Sequence, residues 1–210
     1  MKLYYSPGAC SLSPHIALRE AERTFELERV DLRSKKTASG GNYLDINPKG
    51  YVPALQLDGP GIEILTEGPA IVQYVADLVP DRGLAPANGT FARYHLQEWL
   101  SFISTEIHKS FGPLFAPDTP VPTQERSRSK LVERLAYTSK QIDGKPFVMG
   151  ESFTVADCYL FAVLRWCERF EIDLDDRLED YFHRVFERPA VQAALQAEGL
   201  LETKRHRRSA

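Results

Sequence analysis

The sequence predicts an α+β domain followed by an all-α domain, and three observations lead to this fold class. The first eighty residues alternate strand-like and helix-like patterns. The segment VPDRGLAPANG, residues 79–89, is rich in Gly and Pro and lacks apolar periodicity, which is typical of a linker. Beyond it, apolar residues recur with helical spacing. We therefore expect domains at 1–80 and 88–203, with a basic, disordered tail at 204–210.

The first domain is predicted to contain a mixed sheet with helices packed on it. Its strands are short runs of alternating or apolar residues, KLYYS at 2–6, FELERVDL at 25–32, VPALQL at 52–57 and IEILT at 62–66. Helices are expected at Ser11–Arg23, where Pro14 suits the first turn, and at Pro69–Leu78. The order β-α-β, then a hairpin through the turn DGPG, then α, predicts strands of both directions in one sheet.

The second domain is predicted to be helical throughout. The stretch TFARYHLQEWLSFISTEIHKSF, residues 90–111, forms one long amphipathic helix that the Pro-rich segment 112–122 ends. A second helix is expected at about 123–142, and shorter ones near 177–198. A third begins at FTVADCYLF, where Thr154 and Asp157 have the N-cap and N3 spacing of a capping box.

Composition excludes several classes of function. The formal net charge of -3 gives no reason to expect binding to nucleic acid or to acidic membranes. No apolar run is long enough for a membrane span, and Met1 leads directly into a strand rather than a signal peptide. Three cysteines do not form a disulfide framework, and no Cys/His cluster has metal-ligand spacing. We therefore expect a cytoplasmic protein with no bound metal.

Cys10 is the first candidate for chemistry, because it lies in the turn PGAC just before a predicted helix. Backbone N–H groups without partners and the helix dipole give a helix start partial positive charge, which favours a thiolate over a thiol. The alternative interpretation is a small buried residue that only fills space. The position of Cys10 predicts a reactive sulfur, provided that the sequence contains other residues of the same site.

Two further segments indicate the chemistry of a ligand that would bind beside that sulfur. In NPKGYVPAL, a proline at a strand start cannot donate to the sheet, and a cis Val52-Pro53 bond turns the N–H and C=O of Val52 outward as an edge for an extended peptide. In TEGPA, Glu67 and Gly68 lie at a helix N-terminus, where a carboxylate can bind. Together the three segments indicate a small thiol peptide with free carboxylates.

These motifs resemble those of cytosolic glutathione transferases. The match includes YYSPGACSLSPHIALRE, NPKGYVPAL, LTEGPAI, the linker and FTVADCYLF, in the order and spacing of that family, and it covers residues 1–200. PGACSL with TEIHK is similar to the bacterial beta class in particular. The resemblance implies a thioredoxin-like domain that binds glutathione, a helical domain that shapes a pocket for electrophiles, and a homodimer. It implies glutathione as co-substrate and no cofactor.

The resemblance also implies roles for individual residues. Cys10 matches the active-site cysteine that contacts or bonds the sulfur of glutathione, Tyr5 an aromatic residue near that thiol, and His108 a histidine that reaches across from the helical domain. The residues that bind glutathione are expected to be Lys35 at its glycine carboxylate, Val52 and Pro53 at its backbone, Glu67 and Gly68 at its γ-glutamyl end, and Ser101 and Thr105, which share a helical face with His108.

Less specific interpretations stay open for several of these residues. His108 can be an ordinary histidine near a helix end, Lys35 a solvated surface lysine, and Glu67 a carboxylate favourably placed at a helix start. Lys49, in NPKG, is interpreted as the surface of a turn, and Trp166 as part of the core.

The predicted function is conjugation of the glutathione thiolate to small hydrophobic electrophiles, with some thiol–disulfide exchange through Cys10. One alternative is mainly a glutathione-dependent disulfide reductase or peroxidase, because CSLS has no second cysteine and a second glutathione must resolve the mixed disulfide. Another is a binding protein without catalysis.

Overall fold

The computed structural model describes residues 1–59, 61 and 63–201, and a five-stranded mixed sheet forms the base of its N-terminal domain. The strands are β1 (Lys2–Tyr5), β2 (Glu26–Asp31), β3 (Lys36–Thr37), β4 (Ala54–Gln56) and β5 (Ile64–Thr66). Their order is β3-β2-β1-β4-β5. β1 pairs parallel with β2 and antiparallel with β4, while β3 and β5 pair antiparallel at the two edges. The predicted mixed sheet is confirmed, and β3 is a short addition to it.

The helices follow the predicted division of the chain. They are α1 (Leu12–Glu20), α2 (Gly68–Asp77), α3 (Phe91–Phe102), α4 (Gly112–Phe115), α5 (Val121–Gln141), α6 (Val155–Arg169), α7 (Asp176–Phe186) and α8 (Pro189–Ala197). The predicted fold class, an α+β domain followed by a helical one, is confirmed. The boundaries at 80 and 88 stay a prediction, and the basic tail at 204–210 lies outside the described residues.

The largest difference from the sequence expectation lies between α3 and α4. The predicted continuous helix over 90–111 is α-helical to Phe102, π-helical at Ile103–His108 and 3₁₀-helical at Lys109–Phe111. A π-helical turn contains more residues than an α-helical turn, so the side chains after it are rotated about the axis. Apolar periodicity alone does not predict this change, because Ile103 and Ile107 remain buried on the same side.

Helix α1 joins the two domains. It packs against α2 of its own domain and against α6 and α8 of the helical domain. Leu12, Ile16 and Leu18 of α1 are fully buried in a core cluster that continues into α6. Removing such apolar surface from water contributes about 25 cal/mol per Å². The loop that carries Cys10 therefore leads directly into a helix that packs against both domains.

The start of α6 is fixed by a buried carboxylate. Asp157 accepts hydrogen bonds from the N–H groups of Thr154 and Val148, each at 2.8 Å, and from the Tyr181 hydroxyl at 3.0 Å. The predicted N-cap and N3 positions of Thr154 and Asp157 are confirmed. Burial raises the pKa of Asp157 to about 6.

Across the described part of the chain, no helix combines the length and the apolar character that crossing a bilayer requires.

Candidate active site

A cleft of about 440 Å³ lies where the loops beside β4 and β5 face the segment between α3 and α4. Several predicted site residues line it, namely Cys10, Val52, Pro53, Glu67, Gly68 and His108. Residues that the sequence did not assign to a site also line it, among them Lys49, Ser104, Lys109, Phe115 and Tyr159. The cleft therefore combines the N-terminal domain on one wall with the helical domain on the other.

The loop that carries Cys10 is held by residues far along the chain. The N–H of Gly8 donates to Glu198 Oε2 at 2.9 Å, and the C=O of Gly8 accepts from Trp166 Nε1 at 2.8 Å. Gly8 has a φ of 71°, in the left-handed region that favours glycine. The helical domain thus fixes both the N–H and the C=O of Gly8. These two hydrogen bonds set the position of Cys10, two residues later.

The thiol of Cys10 is neutral near pH 7. Burial raises its pKa to about 12, although the N–H groups of Cys10 and Ser11 and the ammonium of Lys109 act in the opposite direction. The sulfur lies 3.3 Å from the Val52 carbonyl oxygen, to which the S–H donates. The expectation of a thiolate is therefore wrong for this structure, because loss of contact with water outweighs the charge of the helix start.

The Val52-Pro53 peptide bond is cis, as the sequence predicted. The carbonyl of the preceding residue, Tyr51, is fixed by the Tyr43 hydroxyl at 2.8 Å and by Asn47 Nδ2 at 2.7 Å. Among the described residues, the Val52 N–H has no hydrogen-bond partner. The backbone of Val52 therefore lines the cleft with one donor and with a carbonyl already in contact with Cys10.

Glu67 stands at the N-cap of α2 with a φ of 70°, an uncommon conformation for a residue other than glycine. Its Oε1 accepts from Lys49 Nζ at 2.6 Å, and the same ammonium contacts Thr66 Oγ1 at 2.9 Å. Lys49 is thus a cleft residue rather than only the surface of a turn. Its position in NPKG, three residues before Val52, is the sequence signal that could have indicated this.

Lys35 is not among the residues that line the cleft. Its Nζ donates to the Gly50 carbonyl at 2.8 Å and lies 5.7 Å from the centre of the Tyr51 ring. Since Tyr51 is 71% exposed, the ammonium stands beside an accessible aromatic ring next to Val52. Lys35 therefore supports the segment that carries the peptide edge.

His108 ends the π-helical segment and reaches the cleft from the helical domain. Its Nδ1 lies 2.6 Å from the Tyr159 hydroxyl, and its ring packs edge-on against Trp166 with centroids 5.0 Å apart. Burial first, and the ammonium of Lys109 second, lower the pKa of His108 to about 4, while Glu67 acts in the opposite direction. His108 is therefore a neutral imidazole at pH 7.

The lowered pKa of His108 makes stability depend on pH in a predictable direction. In the unfolded chain the imidazole takes up a proton near pH 6.5, whereas in the folded protein it does so only near pH 4. Stability is therefore complete above pH 6.5 and is lost as pH falls towards 4, by at most about 3 kcal/mol from this group. Urea unfolding at pH 7 and pH 5 measures the loss.

His108→Gln is the control for that measurement, because it removes the titrating group. The loss of stability between pH 7 and pH 5 should be smaller in the variant than in the natural protein. Equal losses in both proteins would show that other groups cause the pH dependence. Comparing differences is necessary because Asp157, whose pKa is raised, contributes in the opposite direction over the same range.

Besides Lys35, three predicted site residues do not line the cleft. Tyr5 lies on the side of the sheet that faces α1, where its ring is 6.2 Å from that of His15. Ser101 and Thr105 are exposed, and the Thr105 hydroxyl donates to the Ser101 carbonyl at 2.9 Å. Within the π-helical segment it is Ser104 that shares the cleft with His108, and the expected face of 101, 105 and 108 does not line the cleft.

Comparisons with known proteins identify the family. Residues 1–77 match the model for the glutathione S-transferase N-terminal domain, and residues 102–189 match the model for its C-terminal domain. Glutathione S-transferase GstA from Escherichia coli O157:H7 is 47% identical over 202 residues, which span 95% of this chain and 100% of that protein.

Two solved structures extend the match to three dimensions. A sphingomonad glutathione S-transferase in complex with glutathione is 48% identical, with a TM-score of 0.91 over 95% of this chain and 100% of that one. A bacterial beta-class glutathione S-transferase from Sphingomonas chungbukensis is 45% identical, with a TM-score of 0.92 over 96% of this chain and 100% of that one. This chain therefore belongs to the glutathione S-transferase family, within its bacterial beta class, and is an enzyme with glutathione as co-substrate.

Proposed function

We propose that this enzyme transfers glutathione to small apolar electrophiles in the cleft between its two domains. One observation carries the proposal: the cleft joins the peptide edge of Val52 and the carboxylate of Glu67 to His108 and the aromatic ring of Phe115. The first pair suits a polar peptide, and the second suits an apolar partner beside a reacting sulfur. A site of this composition holds both reactants next to each other.

We further propose an orientation for glutathione in the cleft. The N–H and C=O of Val52 bind the backbone of the central cysteine, as an added β-strand does. Glu67 binds the ammonium of the γ-glutamyl end near the start of α2, and Lys35 binds the glycine carboxylate beside Tyr51. Lys49, which now contacts Glu67 at 2.6 Å, is close enough to pair with the γ-glutamyl carboxylate instead.

The chemical step needs the sulfur of glutathione as a thiolate. A free thiol has a pKa near 8.5, and lowering it by about two units takes about 2.7 kcal/mol of preferential stabilisation of the thiolate. In our proposal this stabilisation comes from His108 as a hydrogen-bond donor and from the charge of Lys109, both on the cleft wall. The thiolate then attacks the electrophile and expels its leaving group.

Thiol–disulfide exchange through Cys10 is a second proposed activity. The position of its sulfur at the cleft, 3.3 Å from the Val52 carbonyl that would hold the ligand backbone, supports this activity. Cys158 and Cys167 are fully buried in α6, so neither offers a resolving thiol at the cleft. Exchange therefore depends on a second glutathione.

Dimerisation and location are also proposed. The rings of Phe91 and Tyr94 on α3 are 76% and 59% exposed, a feature that suits contact with a second copy of the chain. Sedimentation of the purified protein measures this directly. None of the three cysteines is in a disulfide, which is compatible with the cytoplasm, the location expected from the sequence.

The natural protein itself provides the first test. Calorimetry should detect glutathione binding, and a chloronitrobenzene should be converted faster than a glutathione mixed disulfide. A faster reaction with the mixed disulfide would instead favour a disulfide reductase as the main activity. Failure to bind glutathione would contradict both proposals and favour a binding module for another ligand.

Glu67→Gln and Lys35→Met should each raise the apparent KM for glutathione several-fold. Exposed charge contacts contribute less than about 1 kcal/mol, which corresponds to about fivefold at most. Lys36→Met is a matched control, because Lys36 is an exposed neighbour on β3. Steady-state kinetics with varied glutathione measure the effect. A KM equal to the control in both variants would remove these two residues from the binding site.

A further inference from the structure

We propose that Tyr159 is a positioning residue that fixes the proton of His108 on Nε2, so that this neutral imidazole presents an N–H donor to the cleft. The inference rests on the proposed function, in which His108 acts on the sulfur of glutathione. Nothing in the sequence motifs pointed to Tyr159, which lies 51 residues after His108 and on a different helix.

The contact between the two side chains is short and buried. The Tyr159 hydroxyl lies 2.6 Å from His108 Nδ1, and Tyr159 is 2% exposed. Burial raises the pKa of Tyr159 above its ordinary value, so that the group is a phenol with one proton to donate. The nearby Ser104 side chain acts against this rise in pKa but does not cancel it.

The relative strengths of the two acceptors determine the direction of this hydrogen bond. The protonated phenol has one proton to donate, and the imidazole nitrogen lies 2.6 Å from its oxygen. An imidazole nitrogen without a proton is a better acceptor than a phenol oxygen, so Nδ1 accepts and the ring proton stays on Nε2. Among the described residues, Nε2 has no hydrogen-bond partner, and it is the polar atom that His108 can offer to the cleft.

The charges around His108 keep this donor neutral. Lys109, the residue that follows it, and the burial of the ring both oppose an imidazolium, and Glu67 across the cleft favours one less strongly. Cys10 and Tyr159, the other titratable groups facing it, are themselves neutral near pH 7 because burial raises the pKa of each. The Nε2–H group of His108 can therefore donate a hydrogen bond at every pH at which the enzyme is folded and this imidazole is neutral.

The opposite tautomer would work against the reaction. With the proton on Nδ1, Nε2 would direct a lone pair at the thiolate of glutathione instead of a donor. Tyr159→Phe removes the hydroxyl that selects the tautomer and keeps the ring in place. We expect the thiol pKa of bound glutathione, followed by thiolate absorbance in the ultraviolet, to rise by about one unit.

Turnover should change together with that pKa. In Tyr159→Phe, kcat/KM with a chloronitrobenzene should fall about tenfold, the effect of losing one hydrogen bond to a charged group. The KM for glutathione should stay within about twofold, because peptide binding does not use His108. Tyr4→Phe is a matched control, because Tyr4 does not line the cleft. The substitution removes a part-buried hydroxyl that donates to Gln56 Oε1 at 2.9 Å. An unchanged thiol pKa in Tyr159→Phe would overturn the proposal.

A measurement without turnover separates this inference from the proposed function. Nitrogen NMR of protein labelled in histidine reports which ring nitrogen carries the proton, and His108→Gln assigns the signal. The natural protein should show His108 protonated on Nε2 at pH 7, and Tyr159→Phe should show a mixture of both tautomers. Protonation on Nδ1 in the natural protein would overturn the proposal even if the enzyme conjugates glutathione, and it requires no folded variant of Tyr159.

Discussion

Cys10→Ala should abolish glutathione-dependent disulfide exchange and leave conjugation largely intact. In exchange, the Cys10 thiol loses its proton and its sulfur attacks the glutathione sulfur of a mixed disulfide; a Cys10–glutathione disulfide forms, and the other sulfur leaves as a thiolate that takes up a proton. A second glutathione thiolate then attacks that bond, which yields glutathione disulfide and regenerates Cys10. In conjugation the nucleophile is glutathione itself, so no bond to the protein is made. Cys10→Ala therefore distinguishes disulfide exchange from conjugation.

The measurement combines rates with mass spectrometry. Exchange should fall to the uncatalysed rate in Cys10→Ala, and the glutathione adduct of the intact protein should disappear. Cys167→Ala is the matched control, since Cys167 is fully buried and should carry no adduct in any variant. An adduct on Cys158 or Cys167 in place of Cys10 would reduce Cys10 to a residue that fills space. Conjugation lost as completely as exchange would assign Cys10 to both reactions.

The pH dependence of Cys10 provides an independent check. Because burial raises its pKa to about 12, alkylation by iodoacetamide should accelerate about tenfold per pH unit from pH 7 to pH 10. An exposed thiol would approach a plateau above pH 8.5 instead. A plateau below pH 9 would mean that the sulfur is neither buried nor held as a donor by the Val52 carbonyl.

Glu198→Ala should lower the free energy of unfolding by about 2–5 kcal/mol, because two donors lose their acceptor and a buried donor without an acceptor costs about 1–3 kcal/mol. The side chains of Glu198 and His15 are both fully buried, and Oε1 lies 2.8 Å from His15 Nδ1. Arg19 Nε donates to His15 Nε2 at 2.9 Å, so the ring proton is on Nδ1 and is donated to Glu198. The variant leaves this N–H and the N–H of Gly8 without an acceptor.

Chemical unfolding with two comparison variants tests this contribution. Glu198→Gln keeps one acceptor oxygen but places an NH₂ group against a second donor, so its loss should be intermediate. Glu187→Ala removes an exposed carboxylate at the end of α7 and should change stability by less than about 0.5 kcal/mol. A loss in Glu198→Ala as small as that in Glu187→Ala would contradict a structural role for the carboxylate.

The fold was predictable where the signals are local. The alternation of short strands and the pairing of Thr154 with Asp157 each depend on residues within one or two turns, and both are confirmed. The cis bond at Pro53 also has a local signal, because a proline starts the strand. The π-helical turn after Phe102 has none, since its apolar residues fit an α-helix equally well.

The candidate site was predictable to a smaller extent, because much of it depends on contacts between distant residues. The partner of His108 is Tyr159, and the partner of Glu67 is Lys49, neither of which any spacing rule connects. The protonation of Cys10 depends on burial by both domains, whereas the sequence argument could use only the neighbouring helix start. The residue types of the site can be read from the sequence, but the contacts between side chains that are distant along the chain cannot.

The two hydrogen bonds to Gly8 have a consequence for synthesis of the chain. The acceptor for its N–H is 190 residues away, and the donor to its C=O is 158 residues away. Translation proceeds from the N-terminus, so the loop of Cys10 emerges from the ribosome long before Trp166 and Glu198 do. A nascent chain that has folded its sheet still has the Gly8 peptide in water, and the cysteine reaches its final place when α8 has docked. The final position of Cys10 is therefore reached only after Glu198 has been synthesised.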